Sequence, residues 1–497
     1  MDPARGPDRM GKNDREAQVP RPSTIRGRAG VVLAIASVAS FMAALDTLVV
    51  TTALTTIRED LGASLAQLEW TVNAFNLTFA VLLMTAAVIG DRVGRRRAFA
   101  GGVALFTAAS AACALSTSAG ALIAARAVQG VGAAAVLTLS FTLVSAAYPP
   151  DRRGAALGIF FSVTGLAVAS GPLIGGAVAE SLDWHWIFWL NVPIGLVLVP
   201  VALIGMRESR GPAGRLDPLG LALVSAGVLG VVWGLVRGDA AGWGSAEVIG
   251  ALAAGAALLG LFVGWEWRAP APMVPLGFFR SRAFAAGNGA IFLVMASLFC
   301  AVFFLAQYMQ TALGSGPLEA GLRLLPWTGT LFVVAPVAGA LVDRWGERPF
   351  LIAGPLLQAV GMAWIALLAE SGSGYPPMIA PLVVAGVGVS MCFPSAQNSV
   401  VSAVPPEAIG TAAGVNSTMR ELGGVFGIAV SVAVFAAAGS YATPQTFVDG
   451  FGPAIGVAAA LAVVGAVAGT FLPAHGQETE LIGGTPRATT TPALETE

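Results

Sequence analysis

The stretch VIGDRVGRRR at residues 88–97 returns in altered form as ALVDRWGERP at residues 340–349. Each copy reads Asp-Arg-x-Gly-x-Arg and follows a long apolar run, and 252 positions separate Asp91 of the first copy from Asp343 of the second. A motif that recurs at equivalent points of two apolar segments predicts two related halves of six helices each. Such internal repeats are typical of secondary transporters, whose substrate sites lie near the midplane between the halves.

The composition indicates a membrane protein. The 497 residues are 56% hydrophobic and 11% charged, and the mean hydropathy is +0.77, whereas a soluble protein carries about 25% charged residues. Apolar runs of about 20 residues recur along the chain, and each is long enough to cross a ~30 Å hydrocarbon layer as a helix. A helix satisfies its backbone hydrogen bonds internally, so we predict an all-α membrane protein.

We predict fourteen transmembrane helices, arranged as two six-helix bundles with two inserted helices between them. The predicted spans are 30–57, 66–90, 98–117, 120–146, 155–179, 186–206, 217–236, 246–266, 284–311, 319–342, 350–369, 377–403, 410–438 and 451–472. The corresponding domains are a cytoplasmic N-terminal tail (1–28), a first bundle (29–210), the inserted helices (211–270), a second bundle (271–472) and a disordered cytoplasmic tail (473–497).

Basic residues predict the orientation of these helices, because short cytoplasmic loops retain positive charge. With the N-terminus inside, all but five of the 27 basic residues lie in tails or loops on the inner side. Arg58 and Arg237 fall in outer loops, and Arg126, Arg323 and Arg420 fall within spans. Both termini are therefore expected in the cytoplasm. A single lysine with abundant Ala and Gly favours a bacterial source, and hence the bacterial plasma membrane.

Composition argues against several functional classes. A net charge of −1 argues against a nucleic-acid partner. The three cysteines are far apart, and His185 and His475 lie in a loop and a tail, so we predict no metal site, cofactor or catalytic cluster. No loop is long enough for a sensor domain. We expect a monomeric transporter rather than an enzyme, with a small amphipathic substrate, protons and the lipid bilayer as its partners.

The two copies of the repeated motif predict a conformational latch. Asp91 can cap the helix that follows it, or pair with a basic residue of a neighbouring helix in only one of two conformations. The alternative is that the basic residues reflect only the charge bias of cytoplasmic loops. The predicted latch residues are Asp91, Arg92, Gly94, Arg95, Asp343 and Arg344.

Asp46, in FMAALDTLVVTTAL at residues 41–54, is the one ionisable residue between positions 29 and 57. It lies at the edge of a polar helical face that we expect to line a cavity, formed by Ser37, Ser40, Thr47, Thr51 and Thr55. In RAVQGVGAA, Arg126 precedes Gly130 and Ala134, small residues that allow another helix to approach closely. Asp46 and Arg126 have comparable depths, so the two can meet; otherwise Arg126 reaches the outer surface.

An acid in a dry cavity is easily protonated, whereas a nearby guanidinium favours its ionised form. If Arg126 approaches Asp46 in only one conformation, the same carboxyl group binds and releases a proton during each cycle. If the protein cannot bind the proton and the substrate at the same time, the inward movement of one is coupled to the outward movement of the other, which is antiport. The alternative is that Asp46 and Arg126 form a permanent structural pair.

A second set of residues is predicted near the middle of the C-terminal half. Arg420 and Glu421 are adjacent on span 13 and point about 100° apart, so one is expected to face the pore and the other a neighbouring helix. Glu421 is a second candidate for protonation. Polar and aromatic side chains suit an amphipathic substrate, and the candidate contacts are Asn73, Asn76, Gln307, Phe393, Asn398, Asn416 and Arg420.

Span 5 contains GLAVASGPLIGG at residues 165–176, in which small residues recur every fourth position around Pro172. This pattern allows tight helix packing, and it equally provides a bendable seam where one bundle can rock. Both interpretations stay open.

Together with LDTLVVTTAL and WHWIFWLNVPIG, these motifs resemble the fourteen-helix drug:proton antiporter family of the major facilitator superfamily over about residues 30–472. The resemblance implies the major facilitator fold and efflux of amphipathic organic compounds, including antibiotics, by alternating access driven by the proton-motive force. It also implies an antiporter motif at Gly165, Gly171, Pro172, Gly175 and Gly176. In the second motif copy Glu347 and Pro349 interrupt the basic run, as is usual for second halves in the family. The chain departs from the commoner family pattern at Glu421, where a neutral amide is often found.

Two other transport functions fit the sequence. A proton-coupled symporter that imports a small nutrient shares the architecture but is expected to lack the Gly-Pro pattern of span 5. An exporter of a lipid or a secondary metabolite fits the same motifs.

Overall fold

A computed structural model describes residues 22–473 except 53, 182, 212–216, 243, 270–271, 370–373 and 441. This part of the chain contains α-helices and two short 3-10 helices, and no β-strand. The α-helices are α1 (Pro22–Thr52), α2 (Leu54–Leu61), α3 (Leu65–Val93), α4 (Arg95–Ala114), α5 (Ala119–Ala147), α6 (Pro150–Ser181), α7 (His185–Trp189), α8 (Asn191–Gly205), α9 (Pro218–Ala241), α10 (Ala246–Glu266), α11 (Arg282–Thr311), α12 (Pro317–Arg323), α13 (Leu325–Thr328), α14 (Thr330–Trp345), α15 (Arg348–Leu368), α16 (Pro376–Ser402), α17 (Ile409–Ala438) and α18 (Pro444–Thr470). The 3-10 helices are η1 (Leu276–Arg280) and η2 (Pro406–Ala408).

Within the described residues, 13 helical segments are long and apolar enough to cross a membrane. They correspond to thirteen of the fourteen predicted spans. The remaining span, 155–179, lies within α6, a helix of 32 residues in which several side chains are outside the described part. The all-helical prediction is therefore confirmed.

Proline and glycine interrupt two of the spans that the sequence predicted as continuous helices. The sixth divides at Leu190, because Pro193 has no N–H to donate to the carbonyl of Trp189. The tenth divides into α12, α13 and α14, with Pro326 in the first turn of α13 and Gly329 just before α14. The predicted spans 186–206 and 319–342 are corrected accordingly.

The last helix begins earlier than predicted. A capping box at Thr443 and Thr446 starts α18 at Pro444, where the sequence pattern predicted a start at 451. A second capping box, formed by Ser64 and Gln67, starts α3. These polar caps satisfy the first backbone N–H groups, which have no partner within the helix.

The repeated motif occupies two short connections, α3–α4 and α14–α15, and both lie on the same side of the helix array. We call this the motif side and the other the opposite side. The inserted helices α9 and α10 pack through Gly230 and Gly255, where a Cβ on Gly230 would lie 2.8 Å from the Cα of Gly255. They also lie against the first half, because Thr85 of α3 and Ser225 of α9 are joined by a 3.2 Å hydrogen bond.

The two halves meet most closely where α6 crosses α14. A Cβ on Gly158 would overlap the carbonyl oxygen of Ala335 and lie 3.0 Å from the Cα of Pro336. Gly154 and Gly339 make a similar backbone-to-backbone contact one turn nearer the motif side. Glycine is required at these positions because the two helices approach too closely for a side chain.

Candidate functional site

Asp46 is buried in a hydrogen-bond network inside the N-terminal half. Its Oδ2 accepts from Arg126 Nη1 at 2.5 Å, and its Oδ1 accepts from Gln129 Nε2 at 2.9 Å and from Asn191 Nδ2 at 2.7 Å. The exposed fraction is 2% for Asp46 and 0% for Arg126. Three donors on two oxygens match an ionised carboxylate, which can only accept hydrogen bonds.

Gln129 and Ser110 extend this network across the helices. The amide of Gln129 accepts from Arg126 Nη1 at 2.6 Å through Oε1 and donates to Ser110 Oγ at 2.8 Å through Nε2. Asn191 Nδ2 also lies 3.4 Å from Ser110 Oγ. The network therefore connects α1, α4, α5 and α8. We call Asp46, Ser110, Arg126, Gln129 and Asn191 the buried network.

Arg126 has further partners besides the carboxylate. Its Nε donates to the Thr71 carbonyl oxygen at 3.2 Å, and its Cζ lies 4.3 Å from the ring centroid of Phe75 and 5.8 Å from that of Phe188. Ring faces attract a desolvated guanidinium. Removing one member of a buried ion pair costs about 3–5 kcal/mol, because the remaining charge has no counter-charge. Asp46 and Arg126 are thus strongly interdependent in this conformation.

The predicted meeting of Asp46 and Arg126 is confirmed, as is the close helix approach at Gly130. A Cβ on Gly130 would overlap the Phe75 carbonyl oxygen and Thr78 Oγ1 of α3. Thr78 Oγ1 in turn donates to the Ala127 carbonyl oxygen at 2.8 Å.

Part of the polar face that the sequence predicted on α1 is covered in this conformation. Ser37 and Ser40 are buried, and their hydroxyls have no hydrogen-bond partner among the described residues. Thr47 bonds to its own helix, at the Ala43 carbonyl oxygen, while the side chains of Thr51 and Thr55 lie outside the described part. The hydrogen-bond partners of Asp46 lie on α5 and α8, so its side chain points into its own bundle.

The second half carries an uncharged counterpart of this arrangement. On α11, its first helix, buried Ser297 accepts a 2.7 Å hydrogen bond from Gln358 Nε2 of α15. Ser297 lies 251 positions after Asp46, close to the spacing of the repeated motif. The two halves are therefore alike in position and different in charge, with the ion pair in the first.

In the first motif copy, Arg95 connects the two halves. Its Nε lies 2.7 Å from Asp91 Oδ1, and its Nη2 donates to the Glu407 carbonyl oxygen of η2 at 3.0 Å. Gly94 has φ 116°, and a Cβ there would lie 2.6 Å from the carboxylate of Glu208. Only glycine satisfies both constraints.

The prediction that Asp91 caps the following helix is wrong. The N-cap of α4 is Gly94, which provides no side-chain hydrogen bond. The carboxylate of Asp91 instead lies at the first turn of α17, where a Cβ on Gly410 would overlap it. Arg92 is half-buried at the end of α3.

In the second copy, Asp343 makes the reciprocal contact. Its Oδ1 accepts from the backbone N–H of Gly154 at 2.8 Å and its Oδ2 from that of Ala155 at 2.9 Å, near the start of α6. Arg344 is exposed. Each motif aspartate thus lies against the first turns of a helix in the other half. Together with Arg95, these contacts hold the halves together on the motif side.

Arg420 and Glu421 contact each other. Arg420 Nε lies 3.4 Å from Glu421 Oε1, and the Arg420 guanidinium carbon is 5.1 Å from the ring centroid of Phe141 on α5. Phe161 of α6 lies 5.4 Å from Phe141 and 5.0 Å from Phe393 of α16, measured between ring centroids. Arg420 and Phe393 therefore face the other half, next to a cluster of aromatic rings.

The other predicted substrate contacts are dispersed. Asn398 donates to Glu347 Oε1 at 2.6 Å in the second motif copy, and Asn416 donates to Asn288 Oδ1 at 3.3 Å within its own half. Gln307 bonds to its own helix. Asn73 is half-buried and Asn76 exposed on α3. The structure does not bring these residues together into one pocket.

Of the predicted antiporter motif, the structure describes the surroundings of Gly165 and the burial of Gly171. A Cβ on Gly165 would lie 2.7 Å from Leu331 of α14, and Gly171 is buried. Helix α6 continues through Pro172, Gly175 and Gly176, whose surroundings lie outside the described part. The glycine at position 165 belongs to the tight α6–α14 crossing.

Sequence reasoning missed Ser110, Gln129 and Asn191. Gln129 stands three residues after Arg126, one turn along the same helix face, and this spacing was an available signal. Asn191 stands within WHWIFWLNVPIG without any nearby polar residue to indicate a role. Ser110 lies on a helix rich in small residues, where it resembles packing.

Comparison with known proteins gives a consistent result. The family model of the Major Facilitator Superfamily matches residues 36–427 and 287–494. The tetracenomycin C resistance and export protein of Streptomyces glaucescens is 35% identical over 91% of this chain and 86% of its own length. The cephamycin export protein CmcT of Amycolatopsis lactamdurans is 35% identical over 91% of this chain and 94% of its own.

Among solved structures, the human organic anion transporter MFSD10 has a TM-score of 0.63 at 15% identity and covers 89% of this chain and 99% of its own. The proton:xylose symporter XylE has a TM-score of 0.63 at 14% identity and covers 89% of this chain and 95% of its own. These similarities concern the fold. The family is one of multi-pass membrane transporters, and the resemblance stated from the motifs is confirmed: the chain belongs to the Major Facilitator Superfamily.

Proposed function

We propose that this chain exports amphipathic organic compounds, antibiotics among them, from bacterial cells in exchange for protons. The observation that carries the proposal is the buried network, in which Asp46 is paired with Arg126 and held by two amides. The names of the relatives, which include export proteins for tetracenomycin C and cephamycin, support the direction and the class of substrate.

Asp46 is the proposed proton carrier. Before its carboxylate can take up a proton, one of its acceptor positions must be freed, and the ion pair with Arg126 must separate. Arg126 then keeps partners at the Gln129 side-chain oxygen and the Thr71 carbonyl. A hydroxyl on protonated Asp46 needs an acceptor, and Ser110 lies within the same network. Both protonation states therefore have hydrogen-bond partners nearby.

Separation of this pair is the proposed link to transport. The network joins α1, α4, α5 and α8, so protonation of Asp46 would alter the hydrogen bonds that hold these four helices together. The two motif aspartates and Arg95 stabilise contact between the halves on the motif side, which we propose faces the cytoplasm. An inward proton contributes about 2.3 kcal/mol for ~100 mV of membrane potential.

The substrate is proposed to bind between the halves. Arg420, Phe141 and Phe393 lie there, and this mixture of one guanidinium with aromatic rings suits amphipathic molecules with few directional contacts. Glu421, which contacts Arg420, is the second proposed protonation site. We propose that the chain works as a monomer.

Import of a nutrient by proton symport is the alternative. The proton:xylose symporter XylE shares the fold, so the fold alone does not separate import from export. The relatives at 34–35% identity are named for export or drug resistance, which favours export here.

Everted membrane vesicles that contain the chain test the proposal. A pH gradient, acid inside, is established, and ethidium or tetracenomycin C is added. Antiport predicts that the compound enters the vesicles and that the gradient falls in step. Symport predicts exit of a preloaded compound along the same gradient. Vesicles with the Asp46→Asn variant should show neither movement above background.

Asp449→Asn is the matched control, because Asp449 is exposed on α18 and lies outside the buried network. The proposal is wrong if the wild-type chain moves these compounds equally well after nigericin and valinomycin have removed both the pH gradient and the membrane potential.

A further inference from the structure

A groove lies between the motif-side ends of α11 and α18. Its volume is about 390 Å³, and its lining includes Arg280, Arg282, Gly289, Val464, Val467 and Phe471. The walls are apolar except at the motif-side end, where the two arginines stand. This groove is separate from the buried network and from the contacts between the halves.

The apolar part of the groove is open. Val464 and Val467 are each 52% exposed and Phe471 is 64% exposed. A Cβ on Gly289 would meet nothing within 4 Å. By the ~1.5 Å rise per helical residue, Val464 to Phe471 covers about 10 Å along the helix axis. An apolar channel of this length beside exposed side chains fits the upper part of an acyl chain.

The charged end of the groove is held in place by its neighbours. Arg280 ends η1, which packs through Phe279 against Phe284 with ring centroids 5.0 Å apart. Ser281 caps α11 by accepting from the Phe284 N–H, and Arg282 is the first residue of that helix. Both arginines are exposed, and none of the described residues that line the groove carries a carboxylate.

We propose that this groove binds one anionic phospholipid of the bilayer, with its phosphate at Arg280 and Arg282 and an acyl chain along α11 and α18. The position decides the occupant: arginines stand at the membrane-surface end and apolar residues run toward the membrane interior. Basic sites between helix ends are recognised by anionic head groups. A free anion would leave the apolar channel uncovered, and a neutral lipid would leave the two charges unpaired.

Native mass spectrometry of the full chain, titrated with phosphatidylglycerol or phosphatidylcholine, tests this site. The wild-type chain should retain phosphatidylglycerol in preference. A basic residue near a membrane surface strengthens binding about fivefold, so Arg280→Gln and Arg282→Gln together should weaken it about thirtyfold. Arg268→Gln is the charge control, since Arg268 is exposed after the motif-side end of α10 and does not line the groove.

Gly289→Leu tests the acyl-chain part, because it fills open space without changing charge. It should also weaken retention of phosphatidylglycerol, whereas Gly456→Leu should not. Gly456 is on α18, is equally open and does not line the groove. The proposal is overturned if the double arginine variant retains the lipid as the wild type does. It is likewise overturned if Arg268→Gln weakens retention as strongly, or if Gly289→Leu leaves it unchanged.

Discussion

Asp343→Asn should open the contact between the halves on the motif side. The carboxylate of Asp343 accepts from the backbone N–H groups of Gly154 at 2.8 Å and Ala155 at 2.9 Å. Hydrogen bonds to a charged group contribute about 1.5–3 kcal/mol each, against about 1 kcal/mol for a neutral pair. An asparagine can keep at most one neutral bond of this pair, because its second oxygen is replaced by a donor.

The net effect is smaller than the sum of two charged bonds. Asp343 is only half-buried, so solvent screens its charge. We therefore expect a loss of about 2 kcal/mol from the closed conformation, which is a shift of roughly thirtyfold in the equilibrium between conformations.

Double electron–electron resonance measures this shift. Labels are placed at Val93→Cys and Arg344→Cys, exposed positions on the motif side of the two halves. The native cysteines are all buried, which favours selective labelling of the introduced ones. Asp343→Asn should increase the population with a long distance between labels, and Asp449→Asn should not. The reasoning is refuted if both variants give the wild-type distance distribution.

Two further changes have distinct readouts. Asn191→Ala removes a donor at 2.7 Å from Asp46 and leaves the carboxylate with one fewer hydrogen-bond partner. The initial rate of substrate-driven proton exchange should fall about tenfold, the effect of losing one charge-assisted hydrogen bond of ~1.5 kcal/mol, and an unchanged rate would show that this donor does not contribute to exchange. Gly158→Ala places a methyl group against the Ala335 carbonyl oxygen and should separate α6 from α14. The distance between the spin labels at positions 93 and 344 should therefore increase. Gly101→Ala is the control, because a Cβ at position 101 has no other atom within 4 Å.

The pairing of Asp46 with Arg126 could be predicted because helix rise converts sequence position into depth, and two opposite charges at one depth in lipid are expected to meet. The amides of Gln129 and Asn191 could not be assigned in the same way. A neutral amide is tolerated in many environments, and its role depends on how far its helix is rotated. Rotation is set by packing against other helices, which a single sequence does not reveal.

Because helix rotation cannot be read from a single sequence, the predicted substrate contacts also proved to be dispersed. Asn398 and Asn416 share a polar character with Gln307, but the amide nitrogen of each donates locally, to Glu347, to Asn288 or to its own helix. The prediction that the two motif copies have equivalent roles had a firmer basis, since a repeated Asp-Gly pattern requires the same local backbone geometry in both halves. Its details still depended on tertiary structure: Asp91 pairs with Arg95 of α4 and lies against the first turn of α17, and it does not cap α4.

Gradient-driven accumulation by Asp46→Asn in proteoliposomes tests the central claim most directly. Asparagine preserves the shape of the carboxyl group and cannot exchange a proton, so the variant should lose uphill accumulation of ethidium or tetracenomycin C. It should still exchange labelled for unlabelled compound without a gradient, which shows that the variant is folded and binds substrate. Uphill accumulation at the wild-type level in this variant would contradict the proposal that Asp46 carries the proton.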